Sequence, residues 1–171
     1  MKKILTLFAV VGLFAFSGCT DDDNDTDYDT IATTFENGAS YNFVPSNNEN
    51  NNFRARFTFP ARLFEGDMVL VYRLAGKDSS GRDAWEFLPE TYYYDDDTRN
   101  FSFVYSFTDT YVDVYLEGQN LISVPDGYRL GQTFRFVVIP ANLKVAVNSK
   151  KYDDVIKSLN IEESQIQDIK L

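Results

Sequence analysis

The residues that most enzymes use for chemistry are nearly absent from this chain of 171 residues. It contains no histidine and a single cysteine, Cys19. These absences exclude a Ser-His-Asp or Cys-His nucleophile, a zinc site built from histidine or cysteine, and haem ligation by either residue. One cysteine also excludes a dithiol centre and an internal disulfide. Neither a dinucleotide-binding glycine motif nor a P-loop occurs in the sequence.

Carboxylates are the remaining groups that could perform acid–base chemistry. A glycoside hydrolase needs only two of them at a set separation, and Glu86, Glu90 and Glu117 are available. Nothing in the sequence pairs these residues. We therefore predict no catalytic residues and a protein that is not an enzyme, with carboxylate-only hydrolysis as the alternative.

Residues 1–18 have the layout of a secretory signal. Two lysines precede an apolar run over residues 4–16, and small residues follow just before Cys19. The run is shorter than the roughly 20 residues that a transmembrane helix requires. A retained membrane anchor is the alternative interpretation of this segment.

The stretch Phe16-Ser17-Gly18-Cys19 resembles the lipobox of bacterial lipoproteins. The resemblance implies that a signal peptidase cuts before Cys19 and that the cysteine then carries a thioether-linked diacylglycerol and an amide-linked acyl chain. Two or more chains anchor a protein stably, whereas one does not. We therefore expect Cys19 to be the lipidation site, and we expect no cofactor besides this covalent lipid.

An acidic run follows the cysteine and includes Asp21, Asp22 and Asp23. In lipoproteins of Bacteroidota-type bacteria, a few acidic residues at this place signal export to the outer face of the outer membrane, and these aspartates resemble that signal. The alternative is a solvated linker that its like charges keep extended. The resemblance implies a protein facing the cell exterior, with the periplasmic face as the alternative location.

The charge balance limits the partners of the chain. The formal net charge is −10, and without the two leader lysines 14 basic residues face 26 acidic ones, which gives −12. Nucleic acid is disfavoured because its binding depends on lysine and arginine that neutralise phosphates. Electrostatic adsorption to anionic lipid is disfavoured for the same reason. We therefore expect membrane contact through the lipid anchor alone.

Alternating hydrophobicity dominates the chain after residue 40. Residues 53–59 and 101–107 each place aromatic side chains on one strand face. Seven or eight such strands predict an antiparallel β-sandwich with Ig-like layers or a small barrel. We expect residues 19–37 to form a flexible acidic tether and residues 38–171 a single domain. The other predicted strands cover residues 41–44, 68–74, 84–88, 91–94, 111–116 and 133–139.

The hydrophobic period changes near the C-terminus and predicts one short helix. We expect Ser149 to cap the start of this helix and Asn160 to end it in a left-handed conformation. The helix would cover an open end or edge of the sheet. Residues 161–171 fit a strand or a helical turn, and we favour an extended segment. The apolar stripe comprises Tyr152, Val155, Ile156 and Leu159.

One group of aromatic residues is a candidate ligand-binding face. On a strand, Tyr93 faces away from its two neighbours, so we expect at least one tyrosine to reach solvent. Exposed rings suit a sugar ring or a protein partner. Burial in the core or at its rim is the alternative, and Tyr111 with Tyr115 is a weaker second candidate. The residues of this group are Trp85, Tyr92, Tyr93 and Tyr94.

The other charged residues suggest structural roles. Residues 95–97 and 21–29 are rich in aspartate, but an EF-hand loop starting at Asp21 would require Gly and Glu where the chain has Thr26 and Ala32. We therefore predict no metal site. Four arginines are expected to lie on outward strand faces and to pair with acids across strands. They are Arg54, Arg56, Arg73 and Arg135.

Four segments of the chain are similar to a group of small lipoproteins from Bacteroidota-type bacteria with no established activity. The resemblance implies a shared fold and location but no catalytic residue. We therefore predict a non-enzymatic binding or envelope-structural module, with a glycan-binding accessory protein of a nutrient-uptake system as the alternative. A glycan or another envelope protein would be its partner. The segments are residues 69–74 (VLVYRL), 85–93 (WEFLPETYY), 134–140 (FRFVVIP) and 152–157 (YDDVIK).

Overall fold

Two β-sheets packed face to face form the folded part of the chain. The predicted β-sandwich is confirmed, and the two sheets stay separate rather than closing into the barrel that was the alternative. The leader, Cys19 and the three aspartates predicted as an export signal lie outside the described residues. The computed structural model describes residues 32–48, 52–94, 99–143, 149–169 and 171.

Nine strands and two short helices make up the described part. The strands are β1 (Thr33–Asn37), β2 (Arg54–Thr58), β3 (Met68–Lys77), β4 (Asp83–Phe87), β5 (Glu90–Tyr93), β6 (Arg99–Phe107), β7 (Tyr111–Gly118), β8 (Phe134–Ile139) and β9 (Gln167–Ile169). The helices are α1 (Asp126–Arg129) and α2 (Tyr152–Ser158), with 3-10 turns at Leu121–Ser123 and Glu163–Gln165. No helix in these ranges combines the length and the apolar character that crossing a bilayer requires.

The strand order is β4-β3-β8-β1-β9 in one sheet and β2-β7-β6-β5 in the other. Neighbouring strands are antiparallel except for β1 and β9, which are parallel. Strand β4 therefore forms one edge of the five-stranded sheet, and β5 forms one edge of the four-stranded sheet.

Phenylalanine side chains from both sheets interlock in the core. On β2, Ala55 and Phe57 are buried, as the alternation predicts. The ring centroid of Phe57 lies 4.9 Å from that of Phe136 and 6.2 Å from that of Phe134, both on β8 of the opposite sheet. Such tilted ring contacts add to the free energy gained from burial alone. This aromatic interlock holds the two sheets together.

Helix α2 packs on the outer face of the five-stranded sheet. Tyr152 and Val155 are buried there in one cluster with Leu70 and Tyr72 of β3. The Tyr72 hydroxyl also donates to the carbonyl oxygen of Ser149 at 2.6 Å. Strand β3 is therefore apolar on both sides because its inner face meets the other sheet and its outer face meets the helix.

The predicted helix is confirmed, but two of its details are wrong. It covers a sheet face rather than an end or an edge, because its apolar stripe matches the outward side chains of β3 and β8. The residue at the helix start is Lys151, without a side-chain capping bond, and not Ser149. Asn160 has a φ of +53°, so the predicted left-handed stop is confirmed.

The sandwich begins earlier in the chain than predicted. Strand β1 falls inside the predicted tether (residues 19–37), yet it lies between β8 and β9, with Phe35 in the core. This corrects the boundary predicted at residue 38. A five-residue strand with a single large apolar side chain shows little alternation, so its neighbours rather than its own pattern determine its conformation.

The strand predicted at residues 41–44 is mostly absent, whereas the extended segment predicted near the C-terminus is present. Residues 41–44, predicted as a strand, contribute only an isolated bridge between Tyr41 and Gln132. Phe43 is nevertheless fully buried in the core. The extended segment favoured within residues 161–171 is confirmed, because β9 pairs there with β1.

Replacing Phe57 by alanine should lower the free energy of unfolding by about 3–5 kcal/mol, because the lost ring leaves a cavity between the sheets. Denaturant unfolding of the purified protein measures this change. Phe107→Ala is the matched control, since that ring is 41% exposed at the end of β6, and it should lower stability by less than about 1 kcal/mol. Equal losses in the two variants would contradict the aromatic interlock.

Candidate functional site

Two glutamates meet where the chain passes from one sheet to the other. Only Leu88 and Pro89 separate β4 from β5. The Leu88 amide donates to the carbonyl oxygen of Val71 at 2.9 Å, which fixes the connection against β3. Glu86 lies near the end of β4 and Glu90 begins β5. The short connection therefore brings these two side chains together.

Arg73 holds the two carboxylates from inside the sandwich. It lies on β3 opposite Glu86 and shares the inner face with Val71, so its side chain is buried rather than outward as predicted. Its Nη2 donates to Glu86 Oε2 at 2.5 Å and to Glu90 Oε2 at 3.1 Å. The guanidinium also lies 4.9 Å from the centroid of the Phe103 ring. We call Arg73, Glu86, Glu90 and Tyr92 the acid-pair cluster.

Tyr92 completes this cluster from β5. Its hydroxyl donates to Glu90 Oε1 at 2.5 Å and accepts from Arg73 Nη2 at 2.5 Å. Its ring stacks on Phe101 with centroids 4.7 Å apart and contacts the Tyr128 ring at 4.6 Å. Tyr92 therefore points into the sandwich and supports the acid pair from behind.

The contact between the two carboxyl groups changes the acid–base chemistry of Glu86. Burial, together with the hydrogen bond and the charge of Glu90, raises the pKa of Glu86 to about 7, although Arg73 opposes this shift. Burial and the Glu90 hydrogen bond also raise the pKa of the Tyr92 hydroxyl. Glu86 therefore exchanges its proton near neutral pH while Tyr92 keeps its proton. At that pH the cluster can both donate and accept hydrogen bonds.

An open groove of about 350 Å³, which we call the β4 groove, reaches the acid pair from solvent. The Glu86 side chain is 44% exposed, whereas those of Glu90 and Arg73 are mostly covered. Trp85 and Lys150 also line a neighbouring groove of about 430 Å³ that runs toward the start of α2. The lining of the β4 groove comprises Trp85, Glu86, Phe87, Pro89, Glu90 and Lys150.

Trp85 forms a shared wall of the two grooves and is fixed from one side. The Arg135 guanidinium lies 4.2 Å from its ring centroid, and the Tyr152 ring lies 5.5 Å away. Arg135 in turn donates to Glu36 and Glu163, each at 2.7 Å, which confirms its predicted pairing with acids. Trp85 is half-buried and lines both grooves, so part of its surface is accessible to a ligand in the β4 groove.

The four aromatic residues predicted as one ligand-binding face do not lie together. Trp85 faces outward on the five-stranded sheet, Tyr92 points into the sandwich, and Tyr93 alternates with it on the outer face of the four-stranded sheet. Tyr93 is 62% exposed and Tyr94 is also exposed, so the expectation that a tyrosine reaches solvent is confirmed. Within the described part of the chain, Trp85 is the member of this group that lines a groove. Ligand binding by the others stays a prediction.

The second aromatic pair lies beside arginines on the outer face of the four-stranded sheet. The Arg56 guanidinium is 3.6 Å from the Tyr111 ring centroid, and that of Arg54 is 4.2 Å from the Tyr115 ring centroid. Both arginines donate to Asp113, at 2.8–3.0 Å. Burial acts to raise the pKa of Asp113, but these hydrogen bonds lower it below its usual value. The predicted cross-strand pairing of Arg54 and Arg56 with an acid is confirmed.

The positions of the glutamates do not match the hydrolase alternative. Glu86 and Glu90 hydrogen-bond to each other, whereas the carboxyl groups of glycoside hydrolases are separated by about 5–10 Å. Glu117 lies on β7, away from both. Within the described residues, no three or more Asp, Glu, His or Cys side chains are placed to hold a metal ion. The aspartate-rich residues 21–29 and 95–97 lie outside that part of the chain.

The sequence predicts that Arg73 pairs with an acid across strands, and its contact with Glu86 confirms the pairing, but the burial of Arg73 and its joining of both glutamates were not predicted. Arg73 follows Val71 by two positions on β3, and this spacing was a usable signal that its side chain faces the core. Lys150 also lines the β4 groove, but its position could not be predicted, because a loop residue is not part of a repeating hydrophobic pattern. The strand order brings the residues of the acid-pair cluster together, and the strand order could not be predicted from the sequence.

Comparison with protein-family models, with curated proteins and with solved structures finds no match to this chain. The resemblance to small lipoproteins therefore stays a prediction. The residues of the site and the N-terminal sequence are the observations that bear on function.

The raised pKa of Glu86 predicts that the folded protein loses stability as the pH rises from about 4.5 to about 7. In that window the folded state holds a proton that the unfolded state has released, so each increase in pH favours unfolding. Glu86→Gln keeps a neutral side chain and should flatten this part of the curve. Above pH 7 the variant should be more stable than the wild type by about 1 kcal/mol, a reduced value because solvent reaches Glu86.

Denaturant unfolding between pH 4 and pH 8 measures both curves. Glu65→Gln controls for the change in net charge, because it removes a carboxyl group from an exposed loop. Parallel curves for the wild type and Glu86→Gln would contradict a proton held by the acid pair.

Proposed function

We propose that this protein is a lipid-anchored, non-enzymatic binding module of the bacterial outer membrane, facing the cell exterior. The lipobox-like stretch ending at Cys19 and the acidic residues behind it support the anchor and the location. Twelve residues, 20–31, separate Cys19 from Ala32, where the described chain begins. A segment of this length would link the lipid to the sandwich and keep the sandwich near the membrane surface.

The observation that carries the binding role is the β4 groove, where a partly exposed carboxyl group, a lysine and a tryptophan meet. Arg73 holds two carboxyl groups together at a strand edge, and one of them, Glu86, is partly exposed in the β4 groove. Burying the charged Arg73 side chain is unfavourable unless all its partners are in place. A structural module would gain as much from apolar residues at these positions. We therefore assign the cluster to ligand binding.

The chemistry of the groove favours a hydroxyl-rich ligand, and hence a glycan. When Glu86 is protonated, the charges of Arg73 and Glu90 balance, so the cluster has no net charge to attract a strongly ionic ligand. The exposed Glu86 carboxyl group, whose proton bonds to Glu90, then offers oxygen lone pairs to sugar hydroxyls, and the Lys150 ammonium group lines the same groove. The free part of the Trp85 ring offers apolar surface for the C–H face of a sugar.

The binding role is tested with the purified full-length protein on a glycan array, followed by titration of the best glycan. Trp85→Ala and Glu90→Gln should each weaken binding at least about tenfold, because each removes a wall or an acceptor of the groove. Tyr93→Ala is the control, since that ring lies on the other sheet and should leave affinity unchanged. Loss of binding in Tyr93→Ala alone, or no glycan bound at all, would contradict the β4 groove as a glycan site.

The anchor and location are tested on intact cells. Mass spectrometry of the native protein should find residues 1–18 absent and Cys19 acylated, and externally added protease should digest the wild type. Replacing Asp21, Asp22 and Asp23 by alanine should protect the protein from that protease. An unmodified sulfur would contradict the anchor, and equal digestion of both forms would contradict the export signal.

A further inference from the structure

Three connections gather at the end of the sandwich where the chain enters β1. Thr33 lines a small cavity together with Phe64, so residues 60–67 lie beside the chain entry. The Leu63 amide donates to the carbonyl oxygen of Asp109 at 2.7 Å, which brings in the β6–β7 turn. The Ala141 amide donates to an Asp67 carboxylate oxygen at 3.3 Å, which brings in the connection after β8. We call this region the entry end.

Four large apolar side chains at the entry end are between 36% and 53% exposed. They come from different connections and strands, so the fold brings them to one end of the sandwich from separate parts of the sequence. Met68 begins β3 and pairs with Ile139 at the end of β8, which sets it at this end of the five-stranded sheet. The four residues are Phe64, Met68, Phe107 and Leu143.

We infer that the entry end rests on the surface of the lipid bilayer, with these four side chains in its interfacial region. This inference depends on the anchor in the proposed function. The chain between Cys19 and Ala32 can span at most about 45 Å, so an anchored sandwich remains close to the bilayer. Tethering makes a weak second contact effectively intramolecular, so modest apolar burial is enough to populate it.

The segment between Cys19 and the sandwich is a poorer occupant of this surface than lipid. Residues 20–31 contain six aspartates, and Tyr28 and Ile31 are their only large apolar residues. Such a segment has little apolar area to bury against Phe64 or Met68. Acyl chains and the interfacial region of a bilayer supply that area continuously.

The charges at the entry end set the kind of lipid. Residues 60–67 and 108–110 contain one arginine and three acids, so their net charge is −2. Arg62 pairs with Asp109 at 2.9 Å, and Asp67 accepts a hydrogen bond from the Phe64 amide at 3.0 Å. We therefore expect contact with zwitterionic lipid and weaker contact as anionic lipid increases. This apolar contact adds to the anchor and requires no electrostatic attraction.

The resting orientation leaves the β4 groove open. On β3, Arg73 lies five residues beyond Met68, which corresponds to about 17 Å along the strand. The groove therefore opens on the side of the sandwich, above the lipid surface and within reach of a soluble ligand.

The test introduces a tryptophan at the entry end of the full-length protein, reconstituted into phosphatidylcholine vesicles with brominated acyl chains. Phe64→Trp and Met68→Trp should each be quenched at least about twofold more than Ile122→Trp. Ile122 is the matched control because it is more exposed than either residue and follows β7 at the opposite end. The native Trp85 contributes equally to all three variants. Met68→Trp serves as a second probe because Met68 does not line the small cavity, which the Phe64→Trp substitution could disturb.

On the same samples, vesicle flotation measures membrane association, and mass spectrometry of the N-terminal peptide shows whether Cys19 is acylated. Selective quenching at positions 64 and 68 supports the inference, and addition of phosphatidylglycerol should reduce it. Equal quenching at all three positions in floating protein overturns the inference and leaves the anchor intact. Protein that does not float overturns the inference together with the anchor. Selective quenching with an unacylated Cys19 overturns the anchor, and with it the tethered contact that the inference describes.

Discussion

The aromatic interlock between the sheets is the constraint on which the rest of the structure depends. Phe57 from one sheet packs against Phe134 and Phe136 of the other, so the spacing and angle of the sheets are fixed by ring contacts. Because the centre of this core is apolar, polar side chains are accommodated at its edge, where they can find hydrogen-bond partners. The acid-pair cluster lies at that rim, because Arg73 is the residue of β3 at which the inner apolar face ends.

Much of the fold could be predicted from the sequence because alternation is a local property. Strand β6 carries several phenylalanines on one face, β2 carries Phe57 and is flanked by Phe53 and Phe59, and both strands lie where the pattern placed them. Strand β1 lacks such a pattern and is ordered by pairing with β8 and β9, which are distant in sequence. Helix α2 was recognised by its period, but its position on a sheet face depends on strand order.

The candidate site was predictable only in its parts. Glu86 and Glu90 were named as carboxylates, yet their contact follows from the short passage between two edge strands of different sheets. Tyr92 was named as a candidate ligand-binding aromatic with burial as the alternative, and its ring stacks on Phe101 inside the sandwich. Composition identifies the groups that can react, whereas distance between them is a tertiary property that one sequence does not contain.

Arg73 and Arg135 are both buried, and each pairs with two glutamates. They differ in which guanidinium nitrogens bind the carboxylates. Arg135 donates through Nε to Glu36 and through both terminal nitrogens to Glu163, so its two carboxylates stay on different sides of the guanidinium. Arg73 instead offers the same Nη2 to Glu86 and Glu90, and burial together with the neighbouring Glu90 raises the pKa of Glu86 to about 7 although Arg73 opposes this shift. The first arrangement joins β8 to β1 and to the 3-10 turn at Glu163–Gln165, and Arg135 also donates to the Tyr152 hydroxyl of α2. The second leaves a carboxyl group that changes its protonation near neutral pH beside an open groove, and the proposed ligand binding rests on that combination.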